Sequence, residues 1–403
     1  MTLCIRNMRA KIFGGVICIF LFIFCGIGYL FTDVTVDYIF YWITYVTVFM
    51  LPFIFAKKNS DLSKRELSYQ NFLEQFITKN ATAVIVLYLG AIVIELILCN
   101  KITNLFLPPS PDVLTQFRAR MEEASRGGIT LTVIHNLEAF LFPFYLLCLY
   151  KYRKNILKIV ILYLLPIYME YCRNSYLGRS VIFGHLAVVL GIIYVFKANW
   201  RRNLVFLLPV FALSGLIFST YYFNIRSDNE IGITDGLLAE IGLCAGFENC
   251  KEFYSFGTGC DYLLYILNLP LPQGLKFYHG DFNFSVIFSE LYLNLNRVDS
   301  GFYIFLPGAI NEGIFLLGTR FFWLHSLFSS MIFLLGIRFC RSRQKILVYL
   351  YILFIISSFF ARGGCVSAYP FILKQLLFME VVLIGLYSYA NLQKDADIVL
   401  ADK

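Results

Sequence analysis

Ten apolar stretches dominate this sequence, and they constrain its fold more than any motif. They lie at 12–31, 38–56, 81–99, 132–150, 156–172, 180–196, 204–223, 314–337, 346–361 and 370–390. A helix that crosses a bilayer needs about 20 apolar residues. Inside lipid only helices and closed barrels satisfy their own backbone. The expected fold is therefore all-α: a polytopic membrane protein with about ten transmembrane helices. Composition agrees, with 59% of residues hydrophobic and 15% charged, where a soluble domain carries about 25% charged residues. Arg6, Arg9 and Lys11 precede the first stretch as in a signal peptide. That stretch is long and no clean small-residue cleavage site follows it, so it reads as an uncleaved span.

The basic residues orient the chain. With the N-terminus inside and the spans alternating, 21 of the 34 Lys and Arg residues fall on the cytoplasmic side. Inner loops attract Lys and Arg, so both termini are expected in the cytoplasm of a multi-pass protein. The net charge of +8 is then mostly inner-surface anchoring, with Arg338, Arg341, Arg343 and Lys345 as one such inner loop. It gives no ground for nucleic-acid binding, because no compact basic domain accompanies it.

Three regions follow from this map: 1–223 with seven spans and short loops, a large outer loop at 224–313, and 314–403 with three spans and a cytoplasmic tail. The outer loop holds four basic and eleven acidic residues, a net charge of −7. It is also aromatic. In FNFSVIFSELYLNL, Phe284, Phe288, Leu291 and Leu295 fall near helical spacing, which predicts amphipathic helices lying on the membrane. A polar surface helix is expected over 111–125. Cys244, Cys250 and Cys260 share the large loop, and one pair of them could bond in an oxidising compartment. No nucleotide fingerprint is present. No Cys/His spacing indicates zinc, so neither a metal nor a cofactor is expected.

The outer rim is where chemistry is expected. Arginine offers a rigid, permanently charged fork that suits phosphate. The candidates for binding substrate are Arg173, Arg179, Arg297, Arg320 and Arg362. Arg320 lies inside the eighth stretch, where a charge costs roughly 2.5–3.5 kcal/mol and usually faces a cavity or a partner. It is eight residues after Glu312, so the two are expected on one helix face. A group transfer onto a hydroxyl at such a rim would also need a base to take the hydroxyl proton. Glu312, where the loop re-enters the membrane, is the first candidate, and His279 with Asp281 in YHGD the second. Glu95, Glu138 and Glu170 sit at outer span ends, as does His135.

The outer turn YCRNSYLGRSVIFGHLA (171–187), the large late loop and LPGAINEGIFLLG (306–318) together resemble the Wzy-type O-antigen polymerase family. That family has about ten to fourteen spans, large periplasmic loops and a loose spacing of Arg, ten residues, Gly. Arg173 with Gly184, and Arg297 with Gly308, fit the spacing here. The resemblance implies a bacterial inner-membrane enzyme whose large loop is periplasmic. It would transfer undecaprenyl-diphosphate-linked oligosaccharide repeats onto one another during lipopolysaccharide biosynthesis. Its partners would be that lipid-linked oligosaccharide, membrane lipids and, as a candidate, a polysaccharide chain-length regulator. The neighbouring readings are an O-antigen ligase and a transporter or flippase of lipid-linked oligosaccharides. A transporter would show internal repeats and broken helices in corresponding halves, and no repeat is visible in the sequence.

Overall fold

The computed structural model describes residues 14–56, 64–109, 129–174, 242–268, 277, 284–294, 307–339, 344–345, 347–348, 351–352, 356, 360–364, 369 and 373–401. Among them every regular element is helical and none is a strand. The longer elements are α1 (Gly14–Phe31), α2 (Asp37–Phe55), α3 (Lys64–Leu98), α4 (Ile129–Cys148), α5 (Ile156–Asn174), α6 (Phe247–Glu252), α7 (Phe256–Asn268), α8 (Phe284–Leu293), α9 (Ala309–Phe339) and α10 (Met379–Ala401). Five described segments are long and apolar enough to cross a membrane: Gly14–Phe31, Asp37–Phe55, Arg65–Leu98, Val133–Tyr152 and Leu376–Gln393. The expected spans at 156–172 and 314–337 are helical in α5 and α9. Those at 180–196 and 204–223, and the helix at 111–125, lie outside the described residues.

Apolar exposure supports lipid as the solvent. In α2, only 22% of the spanning window is buried, and Phe40, Ile43, Ile54 and Phe55 are exposed. A water-soluble monomer rarely shows an apolar surface of that extent.

The chain divides into two compact units. The first comprises 1–61, 232–338 and 355–373. Lipid is as apolar as leucine, so close packing rather than apolar burial holds membrane helices together. Here that packing is aromatic: Phe49 and Phe333 lie 5.3 and 5.2 Å from the ring of Phe360, and Phe53 lies 5.5 Å from Phe49 with its ring tilted by 35°. Two glycines set the entry to α9. Gly308 (φ +92°) and Gly363 (φ +89°) adopt backbone that favours glycine. The Gly308 N–H donates to the Arg362 carbonyl at 3.0 Å. A Cβ on Gly363 would stand 3.0 Å from both the N and the O of Gly308, so main chain packs on main chain.

Three expectations for this unit change. Helix α9 begins at Ala309 rather than 314, which places Glu312 in its first turn instead of at a loop edge. Gly318 (φ 72°, ψ 172°) then breaks the helical path, with the ring of Tyr254 packed where its Cβ would be. Glu312 and Arg320 therefore do not share a continuous face: Glu312 is fully buried and Arg320 is exposed. The expected helix around Phe288 does form as α8, with Phe288 buried and Leu291 exposed. Third, Cys244, Cys250 and Cys260 are all free thiols. Cys244 lies 3.1 Å from the Thr32 hydroxyl, and burial pushes the Cys250 thiol well above its ordinary range.

The second unit comprises 62–231, 339–354 and 374–403. Its backbone is α3, whose 35 residues extend about 52 Å at 1.5 Å per residue. The expected span over 81–99 is only its second half. The polar first half continues beyond the roughly 30 Å of bilayer hydrocarbon, and Glu74 there pairs with Arg153 at 2.9 Å. Helix α4 packs along α3, α5 packs on α3, and α5 is tied to α4 by the Tyr145 hydroxyl on the Leu162 carbonyl and by Arg173 on Glu138. Tyr88 and Tyr145 meet at 4.5 Å between ring centroids. Lys345, expected as an exposed inner anchor, is instead buried in an ion pair with Glu380, with Tyr69 over it.

Candidate functional site

The site forms where α3, α4 and α5 converge. Helix α3 ends just after Glu95. Asn100 takes the left-handed conformation (φ 55°), the Lys101 N–H bonds the Leu96 carbonyl at 2.8 Å and the Asn100 N–H bonds that of Ile97 at 3.0 Å. These two bonds are a Schellman cap, which asparagine can close in place of glycine. The chain then makes a 3-10 turn, Ile102–Leu105. That turn is fastened to the end of α5: the Asn104 amide donates to the Cys172 carbonyl (2.8 Å), the Tyr168 hydroxyl to that of Leu105 (2.9 Å) and the Tyr171 hydroxyl to that of Pro109 (2.7 Å). The fastening fixes Arg173 opposite Glu95.

Arg173 is the hub. Its Nη1 donates to Glu95 Oε2 at 2.5 Å and to Glu138 Oε2 at 2.7 Å. Glu138 lies one turn along α4 from His135, and the His135 Nδ1 stands 3.7 Å from Glu95 Oε1. The three paired side chains are nearly buried, at 12% (Arg173), 9% (Glu95) and 13% (Glu138), whereas the His135 ring is 64% exposed. A buried carboxylate is costly unless paired, and one guanidinium here serves two. Beside the cluster is a cavity of about 150 Å³. Glu138, Glu170, Arg173 and His135 supply its polar wall, and Tyr88, Phe142, Tyr145, Tyr163 and Tyr351 its aromatic one. Acidic, basic and aromatic groups thus face one small space at the end of apolar helices.

Of the residues expected to bind substrate, Arg173 is in this cluster. Arg320 is exposed on α9, its carbonyl accepting from the Trp323 indole at 3.0 Å. Arg362 is half-buried in the turn before Gly363. Arg179, Arg297, His279 and Asp281 lie outside the described residues.

Glu312, the first candidate base, belongs to a different arrangement. Its Oε2 is 3.9 Å from the His325 Nε2, and both side chains are sealed at 0% and 1% exposure. The His325 Nδ1 meets the Tyr45 hydroxyl at 2.8 Å. Ser326 donates to the Tyr45 carbonyl at 2.6 Å, and Ser329 meets the Tyr369 hydroxyl at 2.6 Å. No spacing in the sequence singles out His325; its place in this network emerges from the fold.

Glu95, Glu138 and His135 were visible in the sequence as polar residues at span ends. The spacing of His135 and Glu138 already puts them on one helical face. Their union with Glu95 and Arg173 is what the fold adds. It also brings together three groups able to ligate a metal, which no spacing along the chain had indicated. Searches against protein-family models, curated proteins and solved structures found no match for this chain.

Proposed function

We propose that this chain is an O-antigen polymerase of the bacterial inner membrane, and that the Arg173 cluster holds the leaving lipid diphosphate. The observation that carries this reading is one guanidinium fixed between two carboxylates beside an aromatic-walled cavity at the end of membrane helices. The resemblance of the outer turn, late loop and 306–318 segment to Wzy-type polymerases supports it independently. On this reading the cluster faces the periplasm, both termini are cytoplasmic, and the regions 180–196, 204–223 and 346–361 complete about ten spans.

Both carboxylates bond a single nitrogen of Arg173. A guanidinium has five N–H donors, so Arg173 can receive a diphosphate oxygen while staying anchored. The reaction joins an acceptor sugar hydroxyl to the anomeric carbon of the donor chain. The bond from that carbon to the diphosphate oxygen breaks, and the electron pair leaves with the lipid diphosphate. Arg173 stabilises the charge that develops there. The acceptor proton passes to Glu170, a carboxylate of the cavity wall.

The test is deletion of the gene, complemented by wild type or by Arg173→Lys, followed by electrophoresis of the surface polysaccharide. Deletion should leave lipid A-core carrying a single repeat, and Arg173→Lys should not restore the ladder because an ammonium lacks the bidentate fork. An unchanged ladder after deletion overturns the proposal. Loss of even the single-repeat band would indicate a ligase or a flippase instead.

A further inference from the structure

We infer that Glu95, His135 and Glu138 form a binding site for a divalent metal ion, with Arg173 holding its two carboxylates in place. One ligand atom from each of the three side chains lies within 4.8 Å of the others. Glu95 Oε1 and His135 Nδ1 are 3.7 Å apart. Metal bonds of about 2.0–2.2 Å to oxygen and nitrogen bring neighbouring ligand atoms to roughly 3–3.5 Å, so a small contraction closes the site.

Glu95 divides its two oxygens. Oε2 accepts from Arg173, and Oε1 is the oxygen that stands toward His135. The arginine therefore occupies the back of the carboxylate and leaves the face toward the histidine for an ion. Partners of this kind behind a ligand orient it and tune its affinity. The His135 ring, the most exposed of the three, can swing to complete the geometry.

The donor set points to the kind of ion. At the edge of a low-dielectric medium carboxylates attract a cation. Two carboxylates and one imidazole suit Mn²⁺ or Zn²⁺ better than Mg²⁺ or Ca²⁺, which take oxygen ligands alone. Three protein ligands leave further coordination positions toward the cavity, as in sites that exchange ligands.

The inference stands whether or not the chain polymerises polysaccharide, because its readout is binding. The full chain, purified in detergent and stripped with EDTA, is titrated with Mn²⁺ and followed by electron paramagnetic resonance. One Mn²⁺ per chain is expected, with nitrogen coupling from the imidazole. His135→Ala should abolish that coupling and weaken binding at least about tenfold. Because His135 is mostly exposed, this variant should keep the wild-type thermal unfolding profile of the metal-free protein. Glu95→Gln should weaken binding similarly. No bound ion at millimolar Mn²⁺, or binding that His135→Ala leaves intact with its nitrogen coupling, overturns the inference. Failure of the polysaccharide test would leave these outcomes untouched.

Discussion

Two acid-and-histidine groupings occur in this protein, and their surroundings separate them. In the first unit Glu312, His325 and Tyr45 are sealed among side chains, with Ser326, Ser329 and Tyr369 completing the network. In the second unit Glu95, Glu138 and His135 surround Arg173 at the edge of a cavity. The residue types are nearly the same. What differs is access and a permanent cation. A sealed network fixes helices in register, and an accessible one can meet a ligand. The difference teaches that a carboxylate at a span end is informative only once its neighbours and its access are known.

Substitutions can break this comparison. The largest effect is expected from Arg173→Ala, which leaves two nearly buried carboxylates uncompensated. Removing one partner of a buried ion pair costs about 3–5 kcal/mol, so the protein should unfold at a markedly lower temperature in detergent. Glu95→Gln added to Arg173→Ala should recover part of that loss, and no recovery would show that the pairing is not what holds α3 against α5.

His325→Ala should cost about 2–4 kcal/mol by opening a cavity and removing the ring nitrogen that meets the Tyr45 hydroxyl. Polysaccharide formed per folded molecule should stay near wild type. A folded but inactive variant would move the active centre to the sealed network and reverse the comparison.

A smaller loss, about 1–3 kcal/mol, is expected for Gly318→Ala, which forces alanine into backbone with φ 72° against the Tyr254 ring. Were the thermal stability unchanged, α9 would run unbroken and Glu312 and Arg320 would share a face after all.

The smallest effect concerns an exposed pair. Lys251, at 2.6 Å, and then Thr35 hold the Glu248 carboxyl below its ordinary value of 4.5. A depressed acid contributes stability that is present above the unfolded value and lost as pH falls through the native one. Between neutral pH and pH 3 wild type should therefore lose slightly more thermal stability than Glu248→Gln. Exposed pairs contribute little, so a large difference would place this pair with the buried ones.

The helical class and most helix positions were legible in the sequence because apolar length is a local property. Arg173 was legible as well, since a charge at a span end stands out. Its partners were individually visible but not as partners: Glu95 is brought opposite Arg173 by a local cap at Asn100 and by a turn that is fastened to α5 through contacts remote in sequence. The break at Gly318 was hidden because one glycine in an apolar run is compatible with an unbroken helix. Lys345 was misread as an anchor because its counter-ion, Glu380, is remote in the chain and lies within the last apolar stretch.

The crossing of Gly308 and Gly363 has a consequence for how this sequence can drift. The obstacle to a larger residue at 363 is main chain, and main chain is common to all amino acids. Exchange of a neighbouring side chain cannot make room, so no compensating change is open to a lineage that loses Gly363, while Gly308 is held by its positive φ. In any collection of descendants these two positions should stay fixed separately, without the paired variation by which touching side chains reveal each other.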